Sequence, residues 1–262
     1  MRSQMSGVRC RIAFCALLLV LCALPAEAAF PTISDADTKS GTVTSNSTSW
    51  TITYPTNVAA GDLLLLFFAI DGVQFATLPV GWVGVAGDGG GSAITLEVDA
   101  KVAVGTETGT FTATISGSEQ GAWRCFRIPA ASWFGGTISG PNSNGFSVAI
   151  GPGTSSTPDP PNLDPANWAT EDTLWIVACA LDTSRTISAY PLVSRNTADV
   201  SGGSTGATLG MCTTTSTVGS LDPGTFTASA SDDWGAATVA VRPAGGAPAA
   251  TPKNMTLMGI GL

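Results

Sequence analysis

An octapeptide occurs twice in this chain, as GTFTATIS at residues 109–116 and as GTFTASAS at residues 224–231. Whatever local structure one copy adopts, the other has nearly the same reasons to adopt. The match extends on both sides. GDLLLLFFAID (61–71) answers to DTLWIVACALD (172–182), with the closing Asp71 and Asp182 in register; LPVGW around Pro79 answers to AYPLV around Pro191. ITLEVDAKV (94–102) answers to ATLGMCTTT (207–215), and GAWRCFRIP (121–129) to GAATVAVRP (235–243). Five matched segments in one order point to a duplicated unit.

Inside the octapeptide, Phe111, Ala113 and Ile115 alternate with Thr110, Thr112 and Thr114, as Phe226, Ala228 and Ala230 do with Thr225, Thr227 and Ser229. Period two with hydroxyl side chains on one face is the pattern of a half-buried strand. Each unit therefore reads as a meander of about five strands punctuated by Gly, Asn and Asp, with no long helical periodicity. The runs 63–70 and 174–181 hold consecutive apolar residues instead of an alternation, which implies strands covered on both faces. The cover comes either from the two units packing as halves of one sandwich, with their connection draped across it, or from a subunit contact. The expected fold is an all-β sandwich, jelly-roll-like or Ig-like, built from two sequence-related antiparallel halves. Two tandem domains are the alternative. The expected divisions are a leader at 1–28, a first β repeat at 29–128, a connection at 129–170, a second repeat at 171–243, and a linker with a short apolar tail at 244–262. The connection holds seven of the 16 prolines, which would interrupt an interior strand.

The leader places Arg2, Arg9 and Arg11 before an apolar run at 12–24 and ends in Ala26-Glu27-Ala28. That is the pattern of a signal peptide cleaved after Ala28, too short in its apolar part to span a bilayer comfortably. It predicts a secreted chain, extracellular or at the cell surface, or periplasmic if retained. Beyond residue 28 stand 8 basic and 18 acidic residues, a formal charge of −10, which repels phosphate backbones and argues against a nucleic-acid partner. Cys125, Cys179 and Cys212 remain after cleavage, either as buried apolar thiols or as one disulfide with a free thiol.

The chain has no histidine, so Ser-His-Asp and Cys-His nucleophiles and histidine metal sites are excluded. Carboxylate chemistry is left. Glu97 and Asp99 stand two apart on one strand and share a face, with a wet strand face as their expected setting. Their stretch resembles the E-x-D-x-x-E strand of a retaining glycosidase family of jelly-roll fold, whose first and last Glu are nucleophile and general acid. Here Val102 stands at the last position, so the acid is missing. Asp88, alone among glycines, is expected at a hairpin end. Asp71 and Asp182 recur at the ends of equivalent strands as turn starters or as a shared rim. Trp50, Trp123 and Trp175 lie within strand patterns and are expected in the core. Trp82, Trp133 and Trp234, by contrast, are expected to be exposed and to be candidates for a sugar-stacking platform. No cofactor or metal is expected.

The segments GDLLLLFFAIDG, LPVGW, KVAVGTETGTFTATISGSE and DTLWIVACALD…FTASASDDWGAATVAVRP resemble a loose group of mostly uncharacterised β-rich proteins found among tailed-phage structural modules and bacterial secreted proteins. The likeness covers residues 40–243. It implies a capsid-decorating, fibre or surface-adhesion role. The expected function is a non-enzymatic, secreted structural or adhesive surface module meeting a surface protein or a glycan. A lectin-like carbohydrate-binding module is the alternative, and a glycoside hydrolase a more distant one. The tail at 255–262 is expected as a frayed end or as a strand added to a neighbour, which would make the chain a homo-oligomer.

Overall fold

Eight consecutive apolar residues do not suit a sheet with one wet face, and in the computed structural model both such runs form the middle strands of two covered sheets. The structure describes residues 29–33, 38–90, 93–202 and 206–245; the expected leader and the apolar tail at 255–262 lie outside them. Among the described residues there is no helix, and every strand pairing is antiparallel.

The strands of the first part are β1 (Lys39–Thr53), β2 (Leu63–Asp71), β3 (Ala76–Thr77), β4 (Val83–Gly90), β5 (Ile94–Val102) and β6 (Thr110–Ile128). Those of the second are β7 (Asn142–Ser143), β8 (Phe146–Ser155), β9 (Glu171–Leu181), β10 (Ile187–Ala189), β11 (Ser194–Val200), β12 (Thr208–Val218), β13 (Thr227–Ala228) and β14 (Asp232–Val241). One sheet has the order β1-β6-β2-β5-β4, with β3 on β6, and the other the order β11-β12-β9-β14-β8-β7. Read from β8, the second order is β8-β14-β9-β12-β11, which places the strands of the matched segments in the same succession as the first sheet. The expected meander does not form. Within β1-β6-β2-β5-β4 only β4 and β5 are neighbours in both chain and sheet.

Alternation along β2 sends Leu63, Leu65, Phe67 and Ala69 to one face, where they meet Leu174, Ile176, Ala178 and Ala180 of β9 in a single apolar core between the sheets. That is a β-sandwich. At one margin the Arg124 guanidinium of β6 grips Asp199 of β11 with both arms, at 2.8 and 2.9 Å, tying sheet to sheet.

The outer faces are covered by the chain itself. β1 and β6 are long, and β1 is bulged between Val43 and Ser49. Beyond the bulges Trp50, Ile52, Ala113 and Ile115 pack on Leu66, Phe68 and Ile70, the outward residues of β2. In the other half Ile187, Phe226 and Ala228, from β10 and the segment around β13, pack on Val177, Cys179 and Leu181 of β9. The repeated octapeptide is thus the covering strand of each sheet. Its threonines are turned outward while Ala113 and Ile115 in the first copy, and Phe226 and Ala228 in the second, close the second face of the central strand.

The segment 129–170 is more than a connection, because it supplies β8, a full partner of β14. Pro152 is tolerated there because the far edge of β8 is paired only near its start, at Phe146 and Ser147 with β7 and at Val148 with the Pro141 carbonyl, so that among the described residues the position of Pro152 has no second strand beside it. After β8 the chain does drape across the second sheet: Leu163 packs on Trp175 and Ala240, and the Thr238 hydroxyl donates to the Pro161 carbonyl at 2.6 Å.

Candidate functional site

Of the carboxylates singled out in the sequence, Asp88 stands on β4 opposite Leu96, near the end of the β4–β5 hairpin, and the other four lie in two places. On β5, Ile94, Leu96, Val98 and Ala100 point into the core, so Thr95, Glu97, Asp99 and Lys101 share the outer face. The expectation of a wet face fails. Glu97 is 6% and Asp99 3% exposed, because β3 and the residues around it fold down over them. Phe75 reaches Gly87 of β4, where an added Cβ would lie 2.7 Å from its ring. The Ala76 amide donates to Glu97 Oε2 at 2.8 Å, while Asp99 Oδ2 is buried without a partner.

Burial pushes the Glu97 carboxyl up to about 7, against the pull of the Ala76 amide. Asp99 is raised well above the usual carboxylate range by burial and by repulsion from Glu97. Next along the face, Lys101 Nζ meets Glu107 Oε1 at 3.0 Å. Burial also pushes Glu107 up, but the Val104 amide, the Lys101 ammonium and the Gly105 amide outweigh it and bring the carboxyl down to about 2. A cleft of about 250 Å³ lined by Gly81, Val83, Lys101, Gly136 and Ile138 lies at the end of this row, and neither Glu97 nor Asp99 lines it.

The second place is the rim where the central strands end. Asp71 continues the inward row of Leu65, Phe67 and Ala69, and Asp182 continues that of Ile176, Ala178 and Ala180, so both side chains point between the sheets where the central strands end. The two residues expected to form a shared rim thus stand on the same side of their sheets. Asp71 is raised by burial and by the Glu119 carboxylate, and Asp182 is raised to about 6 by burial, Asp232, Asp71 and Asp233, with Arg185 opposing. Asp232 is itself held by Arg185 Nε at 2.8 Å and by the amide and hydroxyl of Thr183. Glu119, Asp232, Asp233 and Arg185 went unnoticed in the sequence. Glu119 and Asp233 could have been found there, since each stands two residues before the glycine that opens its matched segment, Gly121 or Gly235.

The tryptophans do not form a platform. Trp133 is 2% exposed and its Nε1 donates to the Gly61 carbonyl at 2.9 Å; Trp234 is 8% exposed and donates to Ser155 Oγ at 3.0 Å. Both were expected at the surface and are core residues, as the space left by Gly145 and Gly153 beneath their rings requires. Trp82 alone of the three is half-buried. Its indole lies near-parallel to the Tyr54 ring at 6.5 Å and close to Phe111 at 5.6 Å, with its Nε1 unpartnered. Cys125, Cys179 and Cys212 are free and buried, and burial raises all three thiols, Cys212 to about 12. Among the described residues no group of three or more acidic or thiol side chains is arranged to hold a metal. Compared with protein-family models, with curated proteins and with solved structures, the chain matched none.

Proposed function

We propose that this chain is a secreted, non-enzymatic structural or adhesive surface module of the virion-decoration or fibre kind. The observation that carries the reading is the covering of both outer sheet faces by the chain's own strands, which makes a scaffold whose loops are its contact surface. Those loops present Val73, Phe75, Val80, Val104 and Val193 to solvent. The two halves, with their shared strand succession, are read as the product of a duplication. The test is to express the full chain with its own leader and ask where it goes. The reading expects cleavage after Ala28, export, and saturable attachment of the purified product to the envelopes of the secreting cells. An uncleaved intracellular chain, or an exported one that attaches to nothing, refutes it.

A second reading, a carbohydrate-binding module, is favoured by the half-buried indole of Trp82 beside Tyr54 and Phe111. Glycan-array binding that is lost in Trp82→Ala supports it. Silence of the wild-type chain across the array removes it.

A further inference from the structure

We infer that the cleft between the turn leading into β8 and the turn before β9 is a subsite for one edge of a neutral sugar ring, in which Trp168 makes the apolar contact and Asn142, Asn144 and Asn167 make the hydrogen bonds. It rests on the carbohydrate-binding reading and moves the contact from Trp82 to Trp168, a tryptophan that the strand patterns and turn signals of the sequence left unremarked. The cleft has a volume of about 90 Å³ and is lined chiefly by Asn142, Ser143, Asn144, Ser147, Asn167 and Trp168. Every polar side chain among these is an amide or a hydroxyl, which donates and accepts as a sugar hydroxyl does, and none carries a charge. An indole beside such groups offers an apolar surface to the C–H face of a ring. An anionic ligand would find no counter-charge in the lining, and the guanidinium beside Trp168, that of Arg242, has both its arms held by Glu171.

The walls are fixed before any ligand arrives. Trp168 packs against Leu163, Trp175 and Ala240, and the Arg242 guanidinium lies 5.8 Å from its ring and 4.5 Å from that of Phe134. The Trp168 amide donates to the Pro165 carbonyl at 3.2 Å, closing a turn in which Asn167 has a φ of 66°. That left-handed backbone strains most side chains but is among the least costly for Asn, and it presents the exposed Asn167 amide at the cleft. On the β8 side the hydroxyl of the buried Ser147 donates to Asn142 Oδ1 at 2.7 Å, which spends the oxygen of that amide and leaves its N–H groups to a ligand. Ser143 Oγ donates to the Gly140 carbonyl at 3.4 Å and accepts from the Ser139 amide at 3.3 Å, so this turn too is braced. Groups held in place lose little freedom on binding. A volume of about 90 Å³ equals about three water molecules at about 30 Å³ each. It admits the hydroxyls of one edge of a ring and leaves the rest of the sugar outside, so a single contact is weak and several copies on one surface are what make it hold.

The experiment is an NMR titration of the full secreted chain with maltotriose, cellotriose, mannobiose and diacetylchitobiose as neutral probes and sialyllactose as an anionic one. At least one neutral probe is expected to shift the Trp168 indole N–H resonance and the amides of residues 142–147 saturably, at millimolar concentration. Trp168→Ala is expected to weaken that binding by at least about tenfold. Asn167→Gly keeps a residue suited to the left-handed backbone and removes the side-chain amide; it is expected to weaken binding about threefold to tenfold, and it serves alone if Trp168→Ala does not fold. No shift with any neutral probe overturns the site and the carbohydrate-binding reading with it. Shifts that centre on Trp82 and survive the substitutions at Trp168 and Asn167 overturn the site alone and leave that reading standing. Sialyllactose bound more tightly than every neutral probe also overturns it, because the lining offers an anion no cation.

Discussion

Replacing Glu97 by Gln should stabilise this protein at neutral to alkaline pH, although the side chain is buried and hydrogen-bonded. The folded chain holds the Glu97 proton up to about 7, whereas the unfolded chain releases it near 4.5. Below 4.5 both states are protonated and the carboxyl costs nothing. Between 4.5 and about 7 the unfolded state loses its proton while the folded state keeps one, so stability falls as pH rises. Above about 7 the penalty is complete. The gap from 4.5 to about 7 corresponds to about 3 kcal/mol at about 1.4 kcal/mol per pH unit. Gln keeps an oxygen to accept from the Ala76 amide, carries no charge, and relieves Asp99 of the repulsion that helps to raise it. Urea unfolding followed by tryptophan fluorescence at about pH 4 and about pH 8 measures the effect. The expected result is near-equality at the lower pH and a gain approaching about 3 kcal/mol for Glu97→Gln at the higher. A variant that is destabilised equally at both values would refute the reasoning, because the carboxylate would then be a net asset where it is charged.

Glu107 should behave in the opposite sense. Its carboxyl neutralises the buried Lys101 and accepts from three backbone amides, so Glu107→Ala is expected to cost about 3 kcal/mol at pH 7 by thermal or urea unfolding, a contribution otherwise lost as pH falls from 4.5 to about 2. Gly153→Ala would set a Cβ 2.2 Å from the Trp234 ring and is expected to cost about 1–3 kcal/mol, whereas Gly84→Ala, with its nearest neighbour at 3.6 Å, should be nearly silent. Cys125, Cys179 and Cys212 should resist a thiol reagent in the native protein and react together on unfolding; fast labelling of any one would contradict their burial.

Strands and faces were legible in the sequence because period-two alternation is a local signal. Ile94 to Lys101 reads correctly as two faces, one apolar and one polar. What covers the polar face was not legible: β3 pairs with β6 from Ala76 to Ile115, and no local pattern states a partner so far along the chain. Strand neighbours were lost for the same reason, so a meander was expected where a non-sequential order forms. The glycine beside Trp133 suggested a turn and exposure. The glycine that matters is Gly145, empty of side chain because the indole occupies that space. β8 was hidden by the prolines around it, which are decisive evidence against an interior strand and none against one with a nearly free edge. Asp71 and Asp182 were visible as a register match, and their common inward direction was within reach, since extending the inward parity of β2 and β9 by one step points both between the sheets.

The two buried carboxylate groups together give the chain an unusual response to acidity. Responses between pH 5 and 7 are ordinarily the work of histidine, and this chain has none. Here Glu97 is held to about 7 and Asp182 to about 6, each chiefly by burial, which at Asp182 outweighs the opposing pull of Arg185. Both therefore make the folded state weaker as pH rises through that range. Glu107 acts in the other direction: its contribution is complete above 4.5 and is lost as pH falls from there to about 2. The penalties begin at 3.8 for Asp182 and 4.5 for Glu97, so among these groups the folded state is favoured most near pH 4.5, where the gain from Glu107 is nearly complete. Covering the outer face of the first sheet with the chain's own strands is what buries Glu97, and packing two sheets face to face is what half-buries Asp182. The same architecture that makes the scaffold self-sufficient thus moves ordinary carboxyls into the range where histidine would otherwise be needed.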